Sequence, residues 1–486
     1  MGRIQGIGMN REQCRGPQRV DRREVLRTGL VGFSGLTLPG LYHSRAQAAA
    51  AGAPDDKKTA IILVWLRGGC SHLDTWDPKP GSTDAYRSPY HPISTSVPGT
   101  QLTELLPRMA SIADKYNILR SIAHNAGGHP AGSLRVLSGD PARADKPKPF
   151  YPDWMTVANF LRSDSPKALP NYVAINPVDR YDAFQIAGPG FLGPSYEAFR
   201  VTGDPSKPKF SVPNIGSKES ELARLTRRSS LRVSFDRLRR DIDQTGLMQA
   251  VDDFESQAIS LLTSPKAQEA FDLGNEPAAL RDRYGRNQWG QQCLLARRLV
   301  EAGVDIVTTE FDGPLCGRVA NWDDHAVNHH VFEALAWRAP FFDQAISGLI
   351  EDVYNRGLDR RVMVVITGEF GRTPRISNQP SSGPGKASRP KGTRQPGRDH
   401  WPRANSMVFA GGGMETGQVI GATDRRGEDP IKRRVSPYDF LATLYHHLGV
   451  DTRDTALTSF AGRTVPVLSS ASRMKGTPVP ELTSRT

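Results

Sequence analysis

The stretch "IILVWLRGGCSHLD" (61–74) drives an apolar run into a double glycine and at once presents Cys70, Ser71, His72 and Asp74. Further along, "NWDDHAVNHH" offers Asp323, Asp324, His325, His329 and His330. "ITGEFGR" offers Glu369 with Arg372 close behind, and "GRDHWP" offers Asp399 and His400. Carboxylates mixed with imidazoles are ligands that zinc, manganese or iron accept. A metal held among them would activate water or polarise a phosphoryl or sulfuryl oxygen. Plainer accounts compete with each cluster. Asp74 and Asp77 stand before Pro78 and suit a turn. Asp323 or Asp324 suits a helix N-cap, and His329 and His330 suit a solvated surface. Glu369 ends an apolar run, where an unpaired buried carboxylate is costly, so it either serves the site or pairs with Arg372.

These residues need a scaffold that brings them together, and the chain alternates strand and helix patterns. "TAIILVWL" (59–66) is a continuous apolar run, as expected of a strand covered on both faces. "LTELLPRMASIADKY" (102–116) reads as a helix, "NILRSIA" (117–123) as a strand, "DWMTVANFLR" (153–162) as a helix and "NYVAIN" (171–176) as a strand. From about 215 to 300 the spacing turns helical, which predicts a helical insertion or cap, and "VDIVTTEF" (304–311) resumes the sheet. Pro340 is expected to open a helix whose Phe342, Ala345, Ile346, Leu349, Ile350 and Val353 form one apolar face. "RRVMVVITGEFGR" then predicts a buried strand, "NSMVFAGGG" a later one, and "SPYDFLATLYHHLGV" a helix capped by Ser436. Residues 377–398, rich in Ser, Gly, Pro and basic side chains, predict a flexible basic loop. The sum is an α/β fold, and ligands of such sheets gather beyond the carboxyl ends of parallel strands.

Composition narrows the partners. The net charge is +12 over 486 residues, but residues 1–50 hold eight arginines against Glu12, Asp21 and Glu24, leaving about +7 for the rest. That leading segment pairs Arg22 with Arg23, then runs apolar from Leu26 to Leu41 and ends Ala-rich. This is the layout of a twin-arginine export signal, predicting a periplasmic or extracellular protein. The remainder, 51–486, is expected to be one domain. No uncharged apolar run is long enough to span a membrane. The basic clusters lack aromatic interleaving or a zinc-finger pattern, so an anionic substrate is expected rather than nucleic acid. Cys14 falls in the signal, and Cys70, Cys293 and Cys316 fit neither a complete disulfide framework nor a zinc spacing.

Two motif readings fail on inspection. Ser71 beside His72 does not make a serine-hydrolase pair, because adjacent residues of an extended segment point apart and no G-x-S-x-G turn exists. "GPGFLG" (188–193) matches a dinucleotide fingerprint by letters alone, since Pro189 and Pro194 and the missing downstream acid make it a loop.

Taken together, "LRGGCSHLDTWDPKP", "VLSGDP", "RDRYGRNQWGQQCLLARRLVEAGV", "ITGEFGRTPR", "GRDHWP" and "GGGMETGQVIGATD" resemble a bacterial exported family, the domain of unknown function fifteen-oh-one. That family is placed with the alkaline phosphatase and sulfatase superfamily. The resemblance implies a three-layer sandwich with a mostly parallel central sheet. It also implies that Glu369 replaces an aspartate ligand while Phe370 takes a histidine position. Asp323 or Asp324 with His325, and His400, would supply further ligands. Departures are present too: Arg67-Gly68-Gly69 stands where metal-binding relatives end the first strand in Asp, so Asp74 would have to return by a loop. "HPAGSLRVLSG" is similar to the nucleophile helix, with His129 at the sulfatase cysteine position and Ser133 as the remaining hydroxyl. No C-x-P-S-R stretch exists, which argues against formylglycine chemistry.

The reading is an exported metal-dependent hydrolase of phosphate or sulfate esters. Its candidate metal residues are Asp74, Asp323, Asp324, His325, Glu369, Asp399 and His400. Its candidate catalytic residues are Ser71, His72, His129, Ser133 and Arg372, with His72 or His129 as acid/base and Arg372 on the anion. Zinc is the first choice of metal, with manganese or calcium as alternatives, or no metal. The competing class is a non-catalytic envelope protein that binds acidic glycans or a protein partner.

Overall fold

The computed structural model describes residues 59–163, 169–212, 264–312, 321–383, 387–458, 462–468 and 476–483. The export signal expected over 1–50 lies outside these residues, as does most of the helical stretch expected from about 215.

An eight-stranded sheet forms the middle layer. Its strands are β1 (Ala60–Trp65), β2 (Tyr116–Ile122), β3 (Tyr172–Ile175), β4 (Phe199–Val201), β5 (Ile306–Glu310), β6 (Val362–Thr367), β7 (Asn405–Gly411) and β8 (Val419–Ile420). Their spatial order is β8-β2-β7-β6-β1-β5-β3-β4. All run parallel except β7, which is antiparallel to both β6 and β2. Every residue of β1 and β6 is buried, as continuous Val/Ile/Leu runs covered on both faces must be.

The covering layers are helical. On one face, β1 side chains Ile62 and Val64 pack with helices α3 (Gln288–Ala302) and α4 (Val331–Asn355). On the other, Ile61, Leu63 and Trp65 pack with α1 (His129–Ser138), α2 (Trp154–Leu161) and α5 (Pro437–His447). The period-2 alternation of β1 thus feeds two cores, giving the three-layer α/β sandwich the sequence led one to expect. Among the described residues no helix is long and apolar enough to cross a membrane.

Several boundaries differ from expectation, each for a local reason. Helix α4 begins at Val331 with His330 as its cap, so Pro340 lies inside the helix rather than at its start. The lost hydrogen bond at Pro340 is tolerated because Phe342, Ala345, Ile346, Leu349, Ile350 and Val353 are all buried on the sheet. The helix expected over 102–116 is only Pro107–Ser111 with a 3₁₀ turn after it, since Pro107 starts it and Gln101–Thr103 is a strand. Of the helical stretch, α3 is one of the sheet's own covering helices rather than a cap. The basic segment expected to be a loop folds its arms into a hairpin, Ser377–Pro380 against Arg394–Gly397.

Register levels the strand ends. Trp65 is paired with both Thr367 and Glu310, so the exits of β1, β5 and β6 lie side by side. Because β7 runs the other way, the chain just before it, carrying His400, reaches this same edge. The double glycine makes the crowding feasible. Gly68 has φ 98°, and a Cβ there would lie 2.5 Å from the Asp323 backbone nitrogen. Gly69, at φ 81°, would drive its Cβ to 2.4 Å from the Phe370 carbonyl oxygen.

Gly68→Ala is therefore expected to cost about 1–3 kcal/mol through backbone strain, with further loss from the clash with Asp323. Gly303 is the control, since it has φ 111° but open space where a Cβ would stand, with nothing within 4 Å. Urea unfolding should show Gly68→Ala losing clearly more than Gly303→Ala; equal losses would refute the close-approach argument.

Candidate metal centre

The strand exits deliver their side chains to one place. After β1, the Arg67 carbonyl accepts from the Trp322 N–H at 2.8 Å, which lays the 321–325 segment across the double glycine. After β6, Glu369 accepts from the Gly68 N–H at 3.0 Å. After β2, the chain turns through Gly127 and Gly128 into α1, whose first residue is His129. Before β7, His400 is fixed by a short antiparallel ribbon in which it pairs with Arg372.

His129, Asp323, His325 and His400 consequently place one ligand atom each within 4.8 Å of one another. Asp323 Oδ1 is the focus. It lies 3.2 Å from His129 Nε2, 2.7 Å from His325 Nε2 and 3.4 Å from His400 Nε2. Each imidazole is held from behind through Nδ1. The His129 Nδ1 faces Glu369 Oε1 at 2.6 Å, His325 Nδ1 faces Asp399 Oδ1 at 2.9 Å, and His400 Nδ1 faces the Gly127 carbonyl at 2.7 Å. Carbonyls and ionised carboxylates only accept, so each Nδ1 carries a proton and each Nε2 faces inward, offering a lone pair whenever its ring is neutral.

Those lone pairs and an anionic oxygen cannot share so small a space without a cation. His129 Nε2 is buried and has no hydrogen-bond partner, the oxygen 3.2 Å away being misaligned. Protons serve as the counter-charge when nothing else is there. Burial pushes His325 down, but hydrogen bonds to Asp323 and Asp399 outweigh it and raise its pKa to about 9. His129 is also raised, burial being overcome by Asp323 and Glu369. His400 is lowered by burial and by Arg372, His129 and His325, so it stays neutral and accepts from His325 across 3.0 Å. Asp323 is held far below the usual carboxylate range despite its burial, by the three histidines and Arg372. A set of nitrogen donors around one carboxylate fits a borderline divalent ion such as zinc, and fits oxygen-seeking calcium poorly.

The other expected site residues take supporting or separate positions. Glu369 and Asp399 sit behind the ring of ligands, orienting His129 and His325. Arg372 does pair with a carboxylate, but with Asp323 at 2.8 Å rather than Glu369. Its remaining N–H groups donate to the Gly68, Gly69 and Arg398 carbonyls, and at 1% exposure it is closed to a substrate anion. Asp324 is bound by the Arg338 guanidinium, and Asp74 by Arg398 and by the Ser71 hydroxyl at 2.5 Å. Neither joins the centre. His72 is buried with Nε2 on the Gly427 carbonyl, and Ser133 is fully buried with no partner for its hydroxyl. The α1 N-terminus is met by the chain's own Asp145, whose carboxylate accepts from the Ala131 N–H at 3.0 Å.

Three contributors were not read from the sequence. Tyr181 stacks on His129 with ring centroids 4.0 Å apart and an interplanar angle of 9°. His124 Nε2 meets the Glu369 carbonyl at 2.7 Å, and the Gly127 carbonyl orients His400. All lie in the connections after the carboxyl ends of β2 and β3, so the rule that drew attention to the other strand exits would have found them. The edge is open on one side: His325 and His400 side chains are 21% and 23% exposed, against 10% for His129.

A group whose folded pKa exceeds its unfolded value adds stability below the unfolded value and loses it as pH rises through the folded one. With His325 at about 9 against an ordinary 6.5, the metal-free protein should lose stability between pH 6.5 and 9. Thermal unfolding across this window, with His325→Asn flattening the slope, checks it. Calorimetry of zinc binding near pH 7 should show proton release, because the ion displaces these protons.

Comparison with known proteins gives a family and remote folds. No curated protein matches the sequence. A lipoteichoic acid synthase, LtaP, from Listeria monocytogenes is structurally similar at 9% identity and TM-score 0.38, over 82% of this chain and 75% of that one. A protein of the alkaline phosphatase superfamily from Vibrio parahaemolyticus follows at 9% identity and TM-score 0.36, over 81% and 67%. The phosphonate monoester hydrolase of Silicibacter pomeroyi is similar at 11% identity and TM-score 0.32, over 82% and 74%. Likenesses this distant carry no argument about activity. The family described as "Protein of unknown function (DUF1501)" matches residues 58–477, and the chain belongs to it.

Proposed function

We propose that this protein is an exported hydrolase of phosphate or sulfate esters that works with one divalent metal ion held by His129, Asp323, His325 and His400. The observation that carries the reading is the convergence of three imidazole Nε2 atoms on one carboxylate oxygen at a solvent-facing sheet edge, each ring held by an acceptor at Nδ1. Zinc suits the donors best, manganese less well. Such an ion, when bound, supplies Lewis acidity toward an ester oxygen and lowers the pKa of water.

The chain's own residues do the rest. Glu369 and Asp399 fix ring orientation and tautomer, and Phe370 and Tyr181 wall the His129 side with apolar surface. Asp399, at 44% exposure the most open carboxylate here, stays ionised, its hydrogen bond with His325 holding it below the usual carboxylate range. Ser71 and Ser133 are both buried, which favours water over a serine hydroxyl as the acceptor of the ester group. The paired Arg22 and Arg23 support export by the twin-arginine route, to the periplasm or beyond.

A second reading is favoured by Arg372. A fixed cation 2.8 Å from Asp323 lessens the negative charge available to hold an ion, which suits a scaffold that binds acidic glycans or a partner without catalysis.

Metal analysis of purified protein should find about one equivalent of zinc or manganese, lost on His325→Ala or His400→Ala, with turnover of an aryl phosphate or aryl sulfate lost in parallel. Glu369→Gln should weaken metal binding about 10- to 100-fold. A metal-free, inert protein that still binds a sulfated polysaccharide would overturn catalysis in favour of the second reading.

A further inference from the structure

The hairpin after β3 carries a residue that touches two members of the centre at once. Tyr181 pairs with Phe184 across a tight turn, Asp182 adopting φ 51° between them. This turn points the Tyr181 ring flat against His129, at 4.0 Å and 9°. Its hydroxyl reaches Asp323 Oδ2 at 3.3 Å. The Arg67 guanidinium carbon lies over the same ring at 4.4 Å. Two groups that close to one ring centroid cannot share a face, so Arg67 backs the side away from His129. Arg67 is itself anchored, donating to the Arg180 carbonyl at 2.9 Å and facing Asp312 at 3.3 Å and Glu310 at 3.7 Å.

We propose that Tyr181 is a positioning residue of the centre, clamping the His129 imidazole with its ring and tethering the outer oxygen of Asp323 with its hydroxyl, while Arg67 backs the ring. The two contacts act on different degrees of freedom. Stacking restricts rotation of the His129 ring, whose Nδ1 is already fixed by Glu369. The hydroxyl occupies Oδ2, so that Asp323 offers Oδ1 alone to the histidine nitrogens. An ion held there would meet a one-oxygen carboxylate rather than a bidentate one. Four ligand atoms would then be presented, the number a tetrahedral zinc site takes, and the His325 and His400 side is where exposure is greatest.

The inference rests on the metal reading, and its test separates the two. Zinc affinity is measured by chelator competition on the full protein, and ligand geometry by the visible absorption of the cobalt-substituted form. Wild type should bind one ion. Tyr181→Leu, lacking both contacts, should bind zinc about 10- to 100-fold more weakly, the usual range for groups behind a ligand, with an altered cobalt spectrum. Tyr181→Phe keeps the ring and loses the tether. It should recover most of the affinity while its cobalt bands shift toward higher coordination as Asp323 turns bidentate. Since Tyr181→Phe removes one oxygen only, it keeps the test valid should Tyr181→Leu misfold. Wild-type affinity and spectrum in both variants would overturn the role of Tyr181 and leave the centre standing. Absence of metal binding by the wild type would overturn the centre itself, and this role with it.

Discussion

Three imidazole Nε2 atoms aimed at one carboxylate oxygen are the constraint to which the rest of this edge answers. Left alone, such an arrangement repels itself, and it persists because each ring is pinned from behind by an acceptor: Glu369, Asp399 or the Gly127 carbonyl. Those acceptors come from three separate segments, so the geometry is a property of the assembled sheet rather than of any local motif. The double glycine, the buried Arg372 and the flat contact with Tyr181 serve the same end. They let backbone and ring approach where an ordinary side chain would intrude.

Arg372 shows how finely the charge is balanced. Its guanidinium is buried and satisfied by carbonyls of the β1 exit, and its last bond goes to Asp323. It therefore ties the double glycine to the acidic ligand, coupling the position of the first strand's exit to that of the centre. The same cation helps keep His400 neutral, alongside the larger effect of burial. Position and protonation state thus both respond to one side chain.

Much of the architecture was legible because apolar runs of four to eight residues announce buried strands. β1, β3, β5, β6 and β7 all fall inside the stretches read as strands. The convergence of "NWDDH", "ITGEF" and "GRDHW" also followed from the parallel-sheet rule. Roles within the cluster were not legible. Glu369 and Asp399 have the chemistry of ligands, but whether a carboxylate touches an ion or the far nitrogen of a histidine depends on one side-chain length, which residue order does not encode. Asp74 was drawn away by Arg398, a partner 324 positions distant. Pro340 looked like a helix start because its local penalty is visible in sequence, whereas the tertiary burial that offsets it is not. Tyr181 lay beyond the β3 exit, where the strand-end rule points, but in a two-residue strand of a hairpin with no motif of its own.

The lone antiparallel strand has a consequence for biosynthesis. β7 fills the gap between β2 and β6, so until residues 405–411 leave the ribosome those two strands have unpaired edges. His400 arrives with it. A nascent chain that has emitted only the first four-fifths of its length holds three of the four converging side chains but no closed sheet on which to fix them. The four side chains of the centre are therefore brought together only late in synthesis, and a chain truncated before β7 would present unpaired strand edges to its neighbours instead of a half-built centre.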